Sequence, residues 1–416
     1  MEGRDVQAHN RSEGRTHLRA PAIGAVSTCL VVATVYMTQP IFPQIARSLD
    51  VEAVDARLAF FFVSLAYALS FFVFGPLSDR IQAKSLAMWG TAVLVVLLAG
   101  ASQAGSFAVL VVALAAAGVA AAAVPAATLA LVPRIAPPGT AGTYFGIVIA
   151  ASVAGITVGR SATGLVAGWL GWRQAILLLA LLNAVCLVAL AFLPRTDLPS
   201  SGGRAVRQAY GQALGMFGQP KVARLLGVGA LLFFGYLGAV TFLTFRLAAE
   251  PFGLGASAIG LVSAIGLAAL FGAPLSGAMI PRFGARRVVL LGLPTALAGI
   301  LVLAIAPTTP GVAAGLLLVF LGVFSCQPAV LVLLAAVVPE RNRGSASSSY
   351  MLSCLCSGSL STMAMGPVWT AYGWPGVVTA ACVAIVAAVL LASWATRRDA
   401  PATSAPLDQS VQTSNK

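Results

Sequence analysis

Twelve apolar stretches run through this 416-residue chain with short polar breaks between them, each about the length a helix needs to cross a bilayer. They occupy roughly 21–41, 57–75, 86–101, 106–132, 143–167, 174–193, 223–245, 257–279, 288–306, 312–336, 345–369 and 376–395. In hydrocarbon every backbone N–H and C=O must be bonded within the segment, so a run of about 20 apolar residues that spans about 30 Å is a helix. The third stretch is short, and its helix is expected to extend into the flanking loops. With 59% hydrophobic and 9% charged residues, the chain is far from the roughly 25% charged content of soluble domains. The expected fold is all-α and integral to the membrane.

One longer polar stretch, 194–222, interrupts the series after the sixth span. The expected organisation is a cytoplasmic tail over 1–20, a six-helix bundle over 21–193, a cytoplasmic linker over 194–222, a second six-helix bundle over 223–395 and a cytoplasmic tail over 396–416. The first twenty residues are polar and lack the apolar core of a secretory signal.

The formal net charge of +13 raises nucleic acid as a partner, but that requires basic residues gathered on a soluble face with aromatics between them. Here twenty of the 25 Lys and Arg fall in the tails, the linker and the loops on the same side. Arg47, Arg57, Arg173 and Arg246 are assigned to loops on the other side, and Arg160 lies inside a span. Such an asymmetry places both termini in the cytoplasm and accounts for the charge without nucleic acid. The six cysteines all sit in apolar runs with no metal-ligand spacing, as small buried side chains do. No metal or cofactor is expected.

The two sets of six spans also repeat. An offset of 202 residues brings Gly75 onto Gly277, Arg80 onto Arg282, Lys84 onto Arg286, Pro137 onto Pro339, Gly142 onto Gly344 and Gly171-Trp172 onto Gly373-Trp374. Six is even, so both halves enter the membrane in the same sense. Parallel repeats of this kind are one build of secondary transporters, with substrate bound near the midplane between the halves.

The loop after the second span reads Gly75-Pro-Leu-Ser-Asp79-Arg80-Ile-Gln82-Ala83-Lys84, and its repeat reads Gly277-Ala-Met-Ile-Pro281-Arg282-Phe-Gly284-Ala-Arg286. Together these resemble the G-x-x-x-D-R-x-G-R-K signature of the major facilitator superfamily, with Gln82 and Ala83 departing in the first copy and the aspartate missing from the second. The resemblance covers nearly the whole chain and implies the superfamily's fold of two parallel six-helix repeats. It implies a gating role for Asp79, with Arg134 as its basic partner and Gly75, Arg80, Lys84, Gly277, Arg282 and Arg286 completing the motif loops. A carboxylate there would also face the start of the eleventh helix near Gly344, where the helix dipole favours it by about 0.3–1 kcal/mol.

The fifth span carries Gly155, Gly159 and Gly164, small residues that let another helix approach closely. Their spacing is similar to the G-x-x-x-G-P-x-x-G-G motif of the drug:proton antiporter branch, but Arg160 stands where that motif has proline. A Gly-Arg pair here, with Thr38-Gln39-Pro40 ending the first span, resembles the YnfM-like bacterial permeases. That likeness implies residence in the bacterial inner membrane.

Arg160 is the charged residue placed well inside a span. A charge near mid-membrane costs at least about 2.5–3.5 kcal/mol on insertion scales, which makes an intramembrane arginine a functional candidate by default. With Tyr36, Gln39 and Gln327 it forms the expected substrate cavity. None of the twelve acids lies in a span interior, and both histidines, His9 and His17, are in the amino-terminal tail. An enzyme needs convergent acid, base, nucleophile or metal ligands, and a receptor needs a sensor or output domain; neither fits this chain. The reading is a secondary active transporter working as a monomer, moving a small organic compound outward by alternating access, with proton coupling implied by the resemblance. Uptake or uniport of an anionic metabolite stands beside it, because a lone buried arginine with no acid suits an anion.

Overall fold

The computed structural model describes residues 21–78, 81–135, 141–193, 203–339 and 342–395. The expected gating residues Asp79 and Arg80 lie outside the described residues, and Arg134 is described only as a backbone position in its helix. Among the described residues all regular structure is helical.

Among the described residues, eleven apolar helical runs are long enough to cross a membrane. They are α1 (Pro21–Leu49), α2 (Arg57–Leu77), α3 (Ala83–Ser102), α4 (Phe107–Ile135), α5 (Ala141–Leu170), α6 (Trp172–Leu190), α7 (Pro220–Ala248), α8 (Ala256–Phe283), α9 (Ala285–Ile305), α10 (Thr309–Val337) and a 53-residue run, Arg343–Ala395. That last run leaves helical geometry at Gly373, where φ is 60° and ψ is −150°, a region that essentially only glycine reaches without strain. The chain turns back there. Gly229 and Gly238 of α7 face Tyr350 and Met365, rising in step, whereas Gly227 and Gly235 face Leu391 and Ala381 in the opposite sense. The run is therefore two antiparallel spans, α11 (343–372) and α12 (374–395), which completes twelve. The third helix does extend beyond its apolar stretch, to Ala83–Ser102.

Each half repeats the other's packing. α2 lies along α4 and α3 along α6, as α8 lies along α10 and α9 along α12. The halves meet where α5 packs on α8 and α2 on α11. A linker helix, Gly203–Gly215, crosses between them: Tyr210 donates to the Val73 carbonyl of α2, and the Ala213 carbonyl accepts from Ser349 of α11 at 2.8 Å. The end of the bundle that carries this helix is called the linker end below, and the other the far end.

Two spans break their α-helical bonding midway. α1 is helical over 21–36, turns at Met37–Thr38, and passes through a 3₁₀ turn at Gln39–Ile41 before resuming, with Pro40 and Pro43 removing two N–H donors. α8 carries a 3₁₀ segment at Ala264–Ala268. Interruptions at membrane depth persist where they line a cavity or are buried in protein, and these two flank one site.

Candidate functional site

Arg160 stands ten residues before Leu170, the far end of α5, and therefore about 15 Å into the membrane. It is 2% exposed. Its Nε donates to the Gln39 Oε1, and its guanidinium carbon sits 5.7 Å from the centre of the Tyr36 ring, a cation–π distance. Gln39 in turn donates through Nε2 to the Thr241 hydroxyl of α7 at 2.8 Å. The Tyr236 hydroxyl of α7 lies in the field of the guanidinium without completing a hydrogen bond of good geometry. Three of the four residues expected to line a cavity, Tyr36, Gln39 and Arg160, are thus brought together. Gln327 is not part of this group. Its Nε2 reaches the Met351 sulfur of α11 at 3.3 Å, joining two helices of the second half.

The Arg160 Nη2 is buried and has no hydrogen-bond partner among the described residues. Arg160 lines a small cavity of about 10 Å³, which is room for about one water. Across that cavity the second half presents Val240, Leu243, Leu247, Ile259, Val262, Leu316 and Phe320, with the hydroxyl residues Thr244 and Ser263 among them. A buried guanidinium N–H without a hydrogen-bond partner leaves part of the desolvation of a cation uncompensated, a cost of order 1–3 kcal/mol or more. The chemistry of the site is that of an unfilled cationic fork, and a planar anion is what matches such a fork.

Gln39 and Thr241 are 202 residues apart, the offset that superposes the halves in sequence. The pair joins equivalent positions of the two halves, so it sits on the axis that relates them, and Arg160 hangs beside it. The same offset carries Arg160 onto Thr362 and Gly164 onto Gly366. Both counterparts meet Arg57: its Nε donates to the Thr362 carbonyl at 3.2 Å, and a Cβ on Gly366 would strike its guanidinium. Arg57 does not lie in an outer loop, where the charge pattern assigns it. It is the first residue of α2, 7% exposed, spanning from one half to the other and held by the Val54 carbonyl at 2.7 Å and the Asp55 carboxylate at 3.0 Å. The apolar window ends at a charge and assigns it to water, whereas the partner that covers it lies 305 residues away.

The other outer basic residues also anchor helices. Arg173 donates to the Ala104 carbonyl beyond α3 at 2.9 Å, and Arg246, in the last turn of α7, donates to the Ala306 carbonyl beyond α9 at 2.8 Å. Ala104 and Ala306 are 202 apart, so the same bare carbonyl is capped in each half by a different arginine.

The three glycines of α5 serve two partners. Gly155 and Gly159 lie against the Cys29 and Ala33 carbonyls of α1, while Gly164 faces Ala256 and Gly260 of α8, in the other half. With Phe42 stacked on Phe245 at 5.4 Å and 17°, these contacts close the far end. Among the described residues no extended packing joins α4 to α10 or α11, so the linker end lacks a seal of that kind.

Of the motif loops, Gly75 and Gly277 have open space where a Cβ would stand, so close packing does not require glycine at either. Lys84 donates to the Ala191 and Leu193 carbonyls at 2.5 and 2.9 Å, capping the end of α6. Arg282 ends α8 and Arg286 opens α9, both exposed.

The Major Facilitator Superfamily model matches this chain over residues 24–363 and 248–414. The MFS-type transporter YybF of Bacillus subtilis is 24% identical over 373 residues, covering 88% of this chain and 90% of its own. The nucleoside transporter NupG, solved as a point mutant, superposes with a TM-score of 0.73 at 15% identity, covering 92% of this chain and all of its own. A bacterial homolog of the human lysosomal transporter Spinster, solved inward-facing and unoccupied, superposes with a TM-score of 0.67 at 17% identity, over 92% of this chain and 95% of that one.

Proposed function

The chain belongs to the major facilitator superfamily, and from that premise we propose that it moves a small organic anion across the bacterial inner membrane by alternating access, with Arg160 holding the anion. It is a membrane transporter and not an enzyme. The observation that carries the reading is the buried, unpartnered Arg160 Nη2 beside the Gln39–Thr241 pair. Gln39 orients the guanidinium from one half, and Thr241 ties that orientation to the other half, so the site changes as the halves rock. The preponderance of Lys and Arg at the linker end supports a cytoplasmic linker and cytoplasmic termini. The far-end contacts then support an inward-facing form, and the proposed working unit is a single copy.

The outward direction rests on the glycine spacing of α5, which follows the exporter pattern. No Asp, Glu or His lies within a span interior, so a proton has to travel on the substrate or through a carboxylate at one end, Asp79 among them. Everted vesicles separate these cases. Aromatic and aliphatic carboxylates are expected to accumulate in them, and their methyl esters are not. Equal transport of acid and ester would overturn the anion reading, and loss of preloaded anion from the same vesicles would reverse the direction.

The loop containing Asp79 closes the linker end when the far end opens, with Arg134 as its partner. Asp79→Asn removes the charge that the α11 dipole favours, worth up to about 1 kcal/mol or about fivefold in the closed population. Transport in proteoliposomes is expected to fall at least that far while the amount of inserted protein stays constant. Unchanged rates would remove Asp79 from the gate.

A further inference from the structure

Tyr236 of α7 carries a hydroxyl that the packing around it does not need. Its side chain is fully buried, and its ring meets three phenylalanines edge-on, Phe233 at 5.8 Å, Phe320 at 5.7 Å and Phe324 at 6.1 Å. Such T-shaped contacts fix the ring from several sides, and phenylalanine would make them equally well. The hydroxyl at the end of that ring is buried with no hydrogen-bond partner, and a buried polar group left in that state calls for an explanation. Its neighbourhood supplies one. Phe320, packed on the Tyr236 ring, lines the Arg160 cavity, and so does Val240, one helical turn further along α7. Thr241, the next residue, holds Gln39, which in turn holds Arg160. The Tyr236 hydroxyl lies in the field of that guanidinium.

Two donors therefore stand near one another at mid-membrane, the Arg160 Nη2 from the first half and the Tyr236 hydroxyl from the second, and neither has an acceptor. A carboxylate carries two acceptor oxygens in one plane and can take a donor on each. The charges narrow the choice further. Arg160 is the one charged residue lining the cavity among the described residues, and the facing wall is apolar apart from Thr244 and Ser263. A second carboxylate on the same molecule would be buried against that wall without a cation. We propose that Tyr236 is the anion ligand of the second half, donating to one oxygen of a carboxylate whose other oxygen binds Arg160, and that the substrate is a monocarboxylate with an uncharged, largely apolar body. The inference rests on Arg160 holding the anion. A carboxylate bridged in this way ties α5 to α7 across the interface, so its binding favours the form in which the halves close around it.

The test uses the full-length protein in neutral detergent, with thermal unfolding followed as each probe is titrated. The probes are two pairs of matched carbon skeleton, benzoate with terephthalate and hexanoate with adipate. The wild type is expected to bind at least one monocarboxylate saturably and its dicarboxylate counterpart about a hundredfold more weakly or worse. Tyr236→Phe keeps the ring contacts, and is expected to keep the Tm of the ligand-free protein while weakening the monocarboxylate about ten- to hundredfold, as loss of one hydrogen bond to a charged group does. Both donors serve one carboxylate, so adding Tyr236→Phe to Arg160→Met should weaken binding little beyond Arg160→Met alone. Unchanged affinity in Tyr236→Phe where Arg160→Met loses binding, or equal binding of a monocarboxylate and its dicarboxylate, would overturn this inference and leave the Arg160 reading standing. A wild type that binds none of the probes, or an Arg160→Met that binds them as the wild type does, would overturn both. A fall of several degrees in the ligand-free Tm of Tyr236→Phe would make the hydroxyl part of the fold instead of the site.

Discussion

Arg160→Met is expected to abolish transport and leave the protein folded with nearly its original heat resistance. Two energies of opposite sign meet at this position. Methionine relieves a mid-membrane cation whose insertion costs about 2.5–3.5 kcal/mol. It also strips the Gln39 Oε1 of the Arg160 Nε donor, which costs about 1–3 kcal/mol for a buried acceptor. The sum is near zero, so Tm should move by only a few degrees. A buried arginine paired to hold the fold together would behave otherwise, since breaking such a pair costs about 3–5 kcal/mol. Function should change far more. Two charge-assisted bonds to an anion are worth about 1.5–3 kcal/mol each, so affinity falls about a hundredfold or more. Arg160→Lys keeps the charge but loses the planar fork, and is expected to land between wild type and methionine. Transport surviving in Arg160→Met, or a collapse of Tm with it, would each show that the guanidinium has another purpose.

Most of the architecture is legible in the sequence because lipid imposes one rule on every span: about twenty apolar residues with no exposed backbone polarity. That is why most helices fall within a few residues of the apolar stretches, and why α3 grows at its ends to reach the needed length; α1 departs from this, running on to Leu49 past the expected end at 41 and past Thr38-Gln39-Pro40. Arg160 is legible for the same reason, since a charge inside such a run stands out. Its surroundings are less so. The 202-residue offset is visible in loops, where Gly, Pro and Arg recur; carried into the spans it maps Gln39 onto Thr241, yet glutamine and threonine share no obvious likeness, and only the fold shows that they touch. Arg57 is misplaced by the same window logic that finds the helices. A charge at the boundary of an apolar run reads as solvated, and nothing local announces that Thr362 and Gly366 will cover it. Gln327 errs the other way: a polar residue inside a span looks like cavity lining, and it is spent on a neighbouring helix.

Gly164→Leu is expected to hold the far end open. A Cβ at this position would stand 2.6 Å from the Ala256 carbonyl oxygen and 2.8 Å from the Gly260 Cα. Both obstacles are backbone, so no rotamer change relieves them, and α5 and α8 must separate. Overpacking of this kind costs about 1–3 kcal/mol. Between states that differ by a few kcal/mol that is enough to shift the population by about five- to hundredfold. Gly366, its counterpart 202 residues on, gives the contrast. There the added Cβ would meet the Arg57 guanidinium, the far end of a flexible side chain. Gly366→Leu should therefore displace Arg57 from the Thr362 carbonyl and loosen the seal without barring the approach of α2 to α11. Spin labels at Gly105 and Pro307, exposed at equivalent positions in far-end loops of opposite halves, read the separation directly. The expected order is a long-distance population largest in Gly164→Leu, smaller in Gly366→Leu and smallest in the wild type, with transport falling about tenfold or more in the first. Identical distance distributions in Gly164→Leu and the wild type would mean that the α5–α8 contact does not set the far-end gate, and the seal would then have to reside in the α1–α7 pair at Gln39 and Thr241.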